Sequence, residues 1–109
     1  MSHEQNKELI SQLNECAAEC NHCATACTEE QDAQMLARCI KLNNDCSEIC
    51  RLAISFLARG SEHSGHILKE CVEICMECAK ECEKHSHMEH CKRCAEVCRN
   101  CAKACQQTA

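Results

Sequence analysis

Apolar residues and cysteines recur along the chain three and four positions apart, with polar residues between them. The first such series runs through Leu9, Leu13, Cys16 and Cys20. Alternating steps of four and three place residues along one face of an α-helix, and this is the pattern of a helix-bundle seam. The pattern predicts four helices, approximately over residues 4–28, 32–59, 62–84 and 88–106.

Short polar connections separate these predicted helices. The first follows Thr28 and precedes Asp32, a candidate helix cap; the second contains Gly60, and the third spans residues 84–87. Helices joined by such short connections are forced to run antiparallel. We therefore predict a single all-α domain over residues 1–109, folded as an antiparallel up-down-up-down four-helix bundle.

The seam positions carry thiols where a bundle normally has leucine. Sixteen of the 109 residues are cysteine, Phe56 is the one aromatic residue, and proline is absent from the sequence. The predicted core is therefore lined with cysteine, and soft thiolates favour soft ions such as Cu(I). The candidate metal ligands on the seams are Cys16, Cys20, Cys23, Cys27, Cys39, Cys46, Cys50, Cys71, Cys75, Cys78, Cys82, Cys91, Cys94, Cys98, Cys101 and Cys105.

Antiparallel packing gives the predicted bundle two different ends. The end that contains the first and third connections, here called the mouth, collects His85, His87, His90, Met35 and Met88. Its three histidines are either candidate ligands that capture copper and pass it to the thiols, or ordinary histidines of a solvated polar turn. His87 falls one step before Cys91 on the seam. The other end, here called the aliphatic end, collects Leu9, Ile10, Leu13, Ile54, Phe56, Leu57, Ile67 and Leu68.

Seven cysteine pairs have four-residue spacing, as in Cys16 and Cys20. Such pairs lie on one helix face, and a near-linear Cu(I) ion spans two sulfurs about 4.5 Å apart. Two pairs on facing helices also suit tetrahedral zinc, although one zinc site needs only four ligands. With two thiolates per Cu(I), the capacity is about 8 ions if no thiolate is shared and about 16 ions if every thiolate bridges two ions.

Asn43 takes one seam position, as a polar core contact or with its oxygen near a metal.

Other functional classes fit the sequence less well. The net charge of −5 without a basic block disfavours nucleic-acid binding. The chain lacks a run of about 18 apolar residues for a membrane span, and its polar start lacks a secretory signal, so we expect a cytoplasmic protein with reduced thiols. This expectation disfavours a disulfide scaffold. Catalysis needs one distinguished thiol, so we predict no enzyme. A zinc or cadmium buffer, a thiol redox-sensing module and a module with filler cysteines remain alternatives.

The chain resembles the bacterial cysteine-rich four-helix copper storage proteins. The resemblance rests on the repeated CxxxC spacing, on CNHCATAC at residues 20–27 and on ECEKHSHMEHC at residues 81–91. It implies storage and sequestration of multiple Cu(I) ions by the cysteines, with His85, His87 and His90 near the mouth. It also implies a homotetramer, and the lack of an export signal matches the cytosolic branch of the family. We further expect a role in buffering copper against its toxicity, with a copper chaperone as a candidate partner.

Overall fold

The computed structural model describes residues 3–108, so residues 1, 2 and 109 of the predicted domain lie outside it. The described residues contain no strand. The structure confirms the predicted all-α fold with a cysteine-lined core. Its helices are α1 (His3–Thr28), α2 (Ala37–Arg59), α3 (Ser64–Glu83) and α4 (Glu89–Thr108), with a short 3-10 helix at Ala33–Leu36.

The second helix begins later than the sequence pattern indicates. The pattern predicts a start at residue 32, whereas α2 begins at Ala37 after the 3-10 segment. The prediction that Asp32 caps this helix is wrong, because its side chain makes no capping hydrogen bond. The tighter 3-10 turn ends at Leu36, which is buried in the core.

Gly60 reverses the chain between α2 and α3. Its φ of 68° lies in the left-handed region, which favours a residue without a Cβ. The amides of Gly60 and Ser61 donate to the carbonyls of Leu57 and Phe56 at 3.1 and 3.0 Å. These two bonds satisfy carbonyls at the end of α2, and the reversal sends α3 back antiparallel to it.

The bundle is a rod of 46 × 18 × 17 Å. Each helix packs against the two that neighbour it in the square order α1, α2, α3, α4. All sixteen cysteine side chains are fully buried along the axis. At the aliphatic end, Leu13, Leu57 and Leu68 are buried and close the interior. Within residues 3–108, no helix is long and apolar enough to cross a membrane.

Truncation of Leu13 tests whether the aliphatic end stabilises the fold independently of metal. The side chain is 0% exposed, so Leu13→Ala removes buried apolar contacts and leaves a cavity. We expect the free energy of unfolding of the reduced, metal-free protein to fall by about 2–5 kcal/mol, measured by chemical denaturation. The control Leu13→Met keeps the volume and is expected to cost less than about 1.5 kcal/mol. Equal stability of the alanine variant and the wild type would contradict this role.

Candidate metal centre

The four helices bring their cysteines together as a column of sulfur along the bundle axis. Neighbouring Sγ atoms lie 3.5 Å apart for Cys46 and Cys75, 3.6 Å for Cys20 and Cys98, and 3.8 Å for Cys16 and Cys46. A disulfide bond is about 2.05 Å long, and all sixteen cysteines are free thiols. The column is therefore a reduced array of metal-ligand atoms and not a set of cross-links.

Four groups of four thiols follow one another along this column, and we call them the thiol ladder. The sulfur atoms within each group all lie within 4.8 Å of one another. Each group shares two cysteines with the next, so a thiolate of one site is placed to bridge to its neighbour. In order from the aliphatic end, the groups are Cys50–Cys71–Cys75–Cys101, Cys16–Cys46–Cys50–Cys75, Cys16–Cys20–Cys46–Cys98 and Cys20–Cys78–Cys94–Cys98.

In two of the four-residue pairs, the spacing of the sulfurs fits three or four ligands better than two. The four-residue pairs Cys23–Cys27 and Cys71–Cys75 have Sγ separations of 4.0 and 3.9 Å. With a bond of about 2.3 Å, trigonal or tetrahedral ligands lie about 3.8–4.0 Å apart and linear ligands about 4.5 Å apart. The linear geometry expected from the sequence therefore requires these two pairs to open by about half an ångström. These distances by themselves suit trigonal Cu(I) and tetrahedral zinc equally.

Asn43 interrupts the sulfur column at the end of the ladder nearer the mouth. Its Oδ1 accepts hydrogen bonds from the thiols of Cys94 at 3.0 Å and Cys78 at 3.2 Å. Its Nδ2 donates to the carbonyl of Cys39 at 2.9 Å and approaches the Cys82 Sγ at 3.9 Å. The fully buried amide is thus satisfied on both sides, as the polar core contact that the sequence suggests.

The thiols nearer the mouth form a second kind of group, here called the mouth group. It consists of Cys23, Cys27, Cys91 and His90, whose ligand atoms lie within 4.8 Å of one another. The Nδ1 atom of His90 lies 3.5 Å from the Cys91 Sγ, 3.6 Å from that of Cys23 and 3.8 Å from that of Cys27. The site therefore offers one nitrogen and three sulfurs.

Burial raises the pKa of the mouth thiol Cys27 to about 11. Deeper in the column, hydrogen bonds from Cys16, Cys20 and Cys46, together with burial, raise the pKa of Cys98 well above the ordinary thiol value. Both groups are protonated at neutral pH. A metal ion that binds them as thiolates must displace their protons.

The mouth opens into a surface pocket of about 250 Å³. His85 lines it at the carboxyl end of α3, and its Nε2 lies 3.4 Å from the buried carboxylate of Glu81. Arg38 and Lys84 also pair with Glu81, at 2.9 and 3.2 Å. Burial by itself raises the pKa of Glu81, but these three partners outweigh it and hold that pKa below its usual value. The pocket is lined by Glu30, Gln31, Asp32, Met35, Leu36, His85, His87 and Met88.

The structure separates the three predicted mouth histidines by their contacts. His90 touches the thiols, His85 lines the pocket and contacts Glu81, and His87 is exposed at the rim of the pocket. His87 does not continue the seam of Cys91, because α4 begins only at Glu89 and helical periodicity does not extend back to it. Its role as a ligand stays a prediction.

The sequence pattern does not indicate two carboxylates that contact the mouth histidines. Glu81 lies four residues before His85, a spacing that places both on one helix face and could have indicated the pair. Glu30 lies 60 residues from His90, yet its Oε2 is 2.9 Å from the His90 Nε2. Nothing local in the sequence links these two residues.

The fold and the site together define a class of protein: a helix bundle whose interior is a buried, reduced array of thiolate ligands for several soft metal ions. The comparisons with known proteins specify the family. The family model described as copper storage protein matches residues 2–109. The chain belongs to the copper storage protein family.

Individual relatives agree with this assignment. A cytosolic copper storage protein from Streptomyces lividans, solved with five coppers, is 34% identical and superposes with a TM-score of 0.92 over 96% of this chain and 92% of that one. The copper-free copper storage protein 3 from Bacillus subtilis is 37% identical, with a TM-score of 0.87 over 94% and 96% of the two chains. The uncharacterized cysteine-rich protein YhjQ of Bacillus subtilis (strain 168) is 40% identical over 80% of each chain.

Proposed function

We propose that this protein stores and sequesters multiple Cu(I) ions inside its helix bundle, using the sixteen cysteine thiolates as ligands. The observation that carries the proposal is the thiol ladder, in which consecutive four-thiol groups share two cysteines each. Shared thiolates allow ions to follow one another along the axis without a separate set of ligands for each. Storage lowers the concentration of free copper, protects against its toxicity and keeps a reserve.

The capacity of the relatives supports binding of several ions per chain. The copper storage protein from Streptomyces lividans is described with five coppers in one structure and with 10 copper equivalents in another. We expect this chain to take up more than the lower bound of about 8 ions that unshared pairs of thiolates would hold. No catalytic step is needed for this function, so we propose that the protein is not an enzyme.

Copper reaches the ladder through the mouth. His85 and His87 line the surface pocket, and His90 lies between this pocket and the thiols of Cys23 and Cys27. Copper captured by the outer imidazoles is handed to the mouth group and then to the ladder. A copper chaperone that docks at the pocket is the candidate donor or acceptor.

The family also bears on the cellular context of this chain. The relative from Streptomyces lividans is described as cytosolic, and we propose the same compartment here. We further propose that residues 1–109 form one domain, which is supported by the family match over residues 2–109.

An exposed apolar side chain supports self-association of the bundle. Leu52 is 42% exposed beside Ile49 and Ile74, and we expect a homotetramer. Sedimentation equilibrium of the full chain tests this expectation.

Anaerobic titration of the fully reduced protein with Cu(I), against a coloured chelator, tests the function. Uptake approaching one ion per cysteine, in competition with the chelator, is the expected result. Saturation at one or two ions would contradict storage. The same titration run with zinc distinguishes copper storage from the alternative of a zinc or cadmium buffer, which groups of four thiols also fit.

Rate-resolved alkylation tests the redox-sensing alternative, which requires one or two thiols far more reactive than the rest.

Copper binding at the mouth is expected to strengthen as the pH rises. The protonated Cys27 thiol must lose its proton to bind, and its pKa of about 11 keeps it protonated through the neutral range. Each displaced proton then raises the apparent affinity by about tenfold per pH unit, until the pH reaches the thiol pKa. The measurement is proton release per Cu(I) in a pH-stat, together with competition titrations at several pH values. An affinity independent of pH would show that the thiols are already ionised.

A further inference from the structure

Glu30 and His90 form a hydrogen-bonded pair that links the pocket surface to the thiols. The Glu30 Oε2 lies 2.9 Å from the His90 Nε2, while the opposite nitrogen of the ring faces the three sulfurs of the mouth group. The His90 side chain is only 14% exposed, whereas that of Glu30 is 40% exposed. The carboxylate thus holds the outer edge of a ring whose inner edge meets the candidate copper site.

The direction of this hydrogen bond follows from the chemistry of the two groups. An ionised carboxylate only accepts hydrogen bonds, so the contact requires a proton on Nε2. A neutral imidazole carries one ring proton, which leaves the Nδ1 lone pair directed at Cys23, Cys27 and Cys91. The ring therefore presents a ligand atom to the site and not an N–H group.

The position of Glu30 in the fold favours this role. It lies two residues after the end of α1, and its amide donates to the Cys27 carbonyl at 3.3 Å, so the residue is tied to the same helix end as a thiol of the mouth group. His90 lies in the first turn of α4. The pair therefore connects the two helices that supply the mouth group and fixes the ring between them.

We propose that Glu30 is a positioning residue for copper capture: it fixes the tautomer and the orientation of His90 so that Nδ1 binds the first Cu(I) at the mouth group. This inference rests on the proposed function, because it assumes that His90 binds copper and accounts for how its ring is held. Carboxylate partners of metal-binding histidines orient the ring and increase its basicity, and their loss typically weakens metal affinity by about 10–100-fold.

A double-mutant cycle between Glu30 and His90 tests the proposal. The affinity for the first Cu(I) equivalent is measured anaerobically by chelator competition in the wild type, Glu30→Ala, His90→Ala and the double variant. We expect Glu30→Ala to weaken this affinity by about tenfold or more in the wild-type background and to have no further effect once His90 is alanine. A loss that persists in the His90→Ala background would overturn the proposal, because Glu30 would then act on the loop and not through the ring.

Nitrogen-15 NMR of the copper-free protein gives a second readout that does not depend on copper storage. We expect the neutral His90 ring to carry its proton on Nε2, with slow exchange of that proton. Glu30→Ala should speed this exchange by about tenfold or more, the loss expected for a charge-assisted hydrogen bond. The control Glu29→Ala alters an exposed neighbouring carboxylate and should leave both readouts unchanged.

The outcomes separate this inference from the proposed function. If the wild type stores copper but Glu30→Ala binds the first ion equally well, the inference fails and the storage function stands. If the wild type takes up only one or two ions, the storage function fails, and the NMR comparison still decides whether Glu30 positions the His90 ring. A wild-type ring protonated on Nδ1 would also overturn the inference.

Discussion

Replacing Cys46 and Cys98 together with alanine is expected to lower the Cu(I) capacity by about two to three ions per chain, with the helical fold retained. Cys46 belongs to two groups of the thiol ladder, and so does Cys98. Their sulfurs lie 4.0 Å apart at the middle of the column. Each lost thiolate therefore removes a ligand from two neighbouring sites, and the loss should exceed that of a terminal, unshared ligand.

The matched control for this experiment replaces Ser47 and Val97 with alanine. Both residues are buried, and each is adjacent in sequence to one of the two cysteines. This variant makes comparable changes to the same helices while leaving every thiol in place, so its capacity should equal that of the wild type. Capacity is measured by anaerobic Cu(I) titration, and helicity by circular dichroism. Full capacity in the double cysteine variant would mean that these thiols only fill the core.

Removing the three mouth histidines together is expected to slow copper uptake by about tenfold, equivalent to about 1.4 kcal/mol of activation free energy. His85 and His87 line the surface pocket, and His90 contacts the mouth thiols, so the triple alanine variant lacks the imidazole ligands between this pocket and the thiols. The final capacity should fall by at most about one ion, because the thiol ladder is intact. Stopped-flow transfer of Cu(I) from a coloured chelator measures the rate, and long incubation measures the capacity.

The chain supplies a matched control for this variant as well. His22, His63 and His66 are exposed and lie outside the mouth pocket. Their combined replacement with alanine removes the same number of imidazoles and should leave the uptake rate unchanged. Equal slowing in the two triple variants would indicate a general effect of histidine or charge. Unchanged uptake in the mouth variant would mean that copper reaches the thiols without imidazole capture.

The fold and the chemistry of the interior could be predicted from the sequence, because both depend on the local periodicity of the residues. Steps of three and four residues determine which side chains share a helix face, and this placed every cysteine on a buried face. Gly60 marked the one turn within residues 3–108 whose backbone has a positive φ. The opposite character of the two ends followed from the order of the residues once the helices were antiparallel.

Local periodicity does not determine the rotation and axial offset of one helix relative to another. Only the tertiary structure therefore decided which thiols form a group, and that Cys46 and Cys98 are shared between groups. It also placed the Asn43 side chain against thiols from three helices. The amide oxygen accepts from Cys78 of α3 and Cys94 of α4, and the amide nitrogen lies near Cys39 of α2.

The mouth marks the limit of the sequence pattern most clearly. His87 matched the spacing of the seam but precedes α4, so it lies at the rim, whereas His90 meets the thiols from the first turn of that helix. Glu30 contacts His90 although the two residues are 60 positions apart in the sequence. The sequence thus determined what the interior is made of, and the packing of the helices decided which side chains meet, because contacts between distant segments depend on geometry that no local repeat encodes.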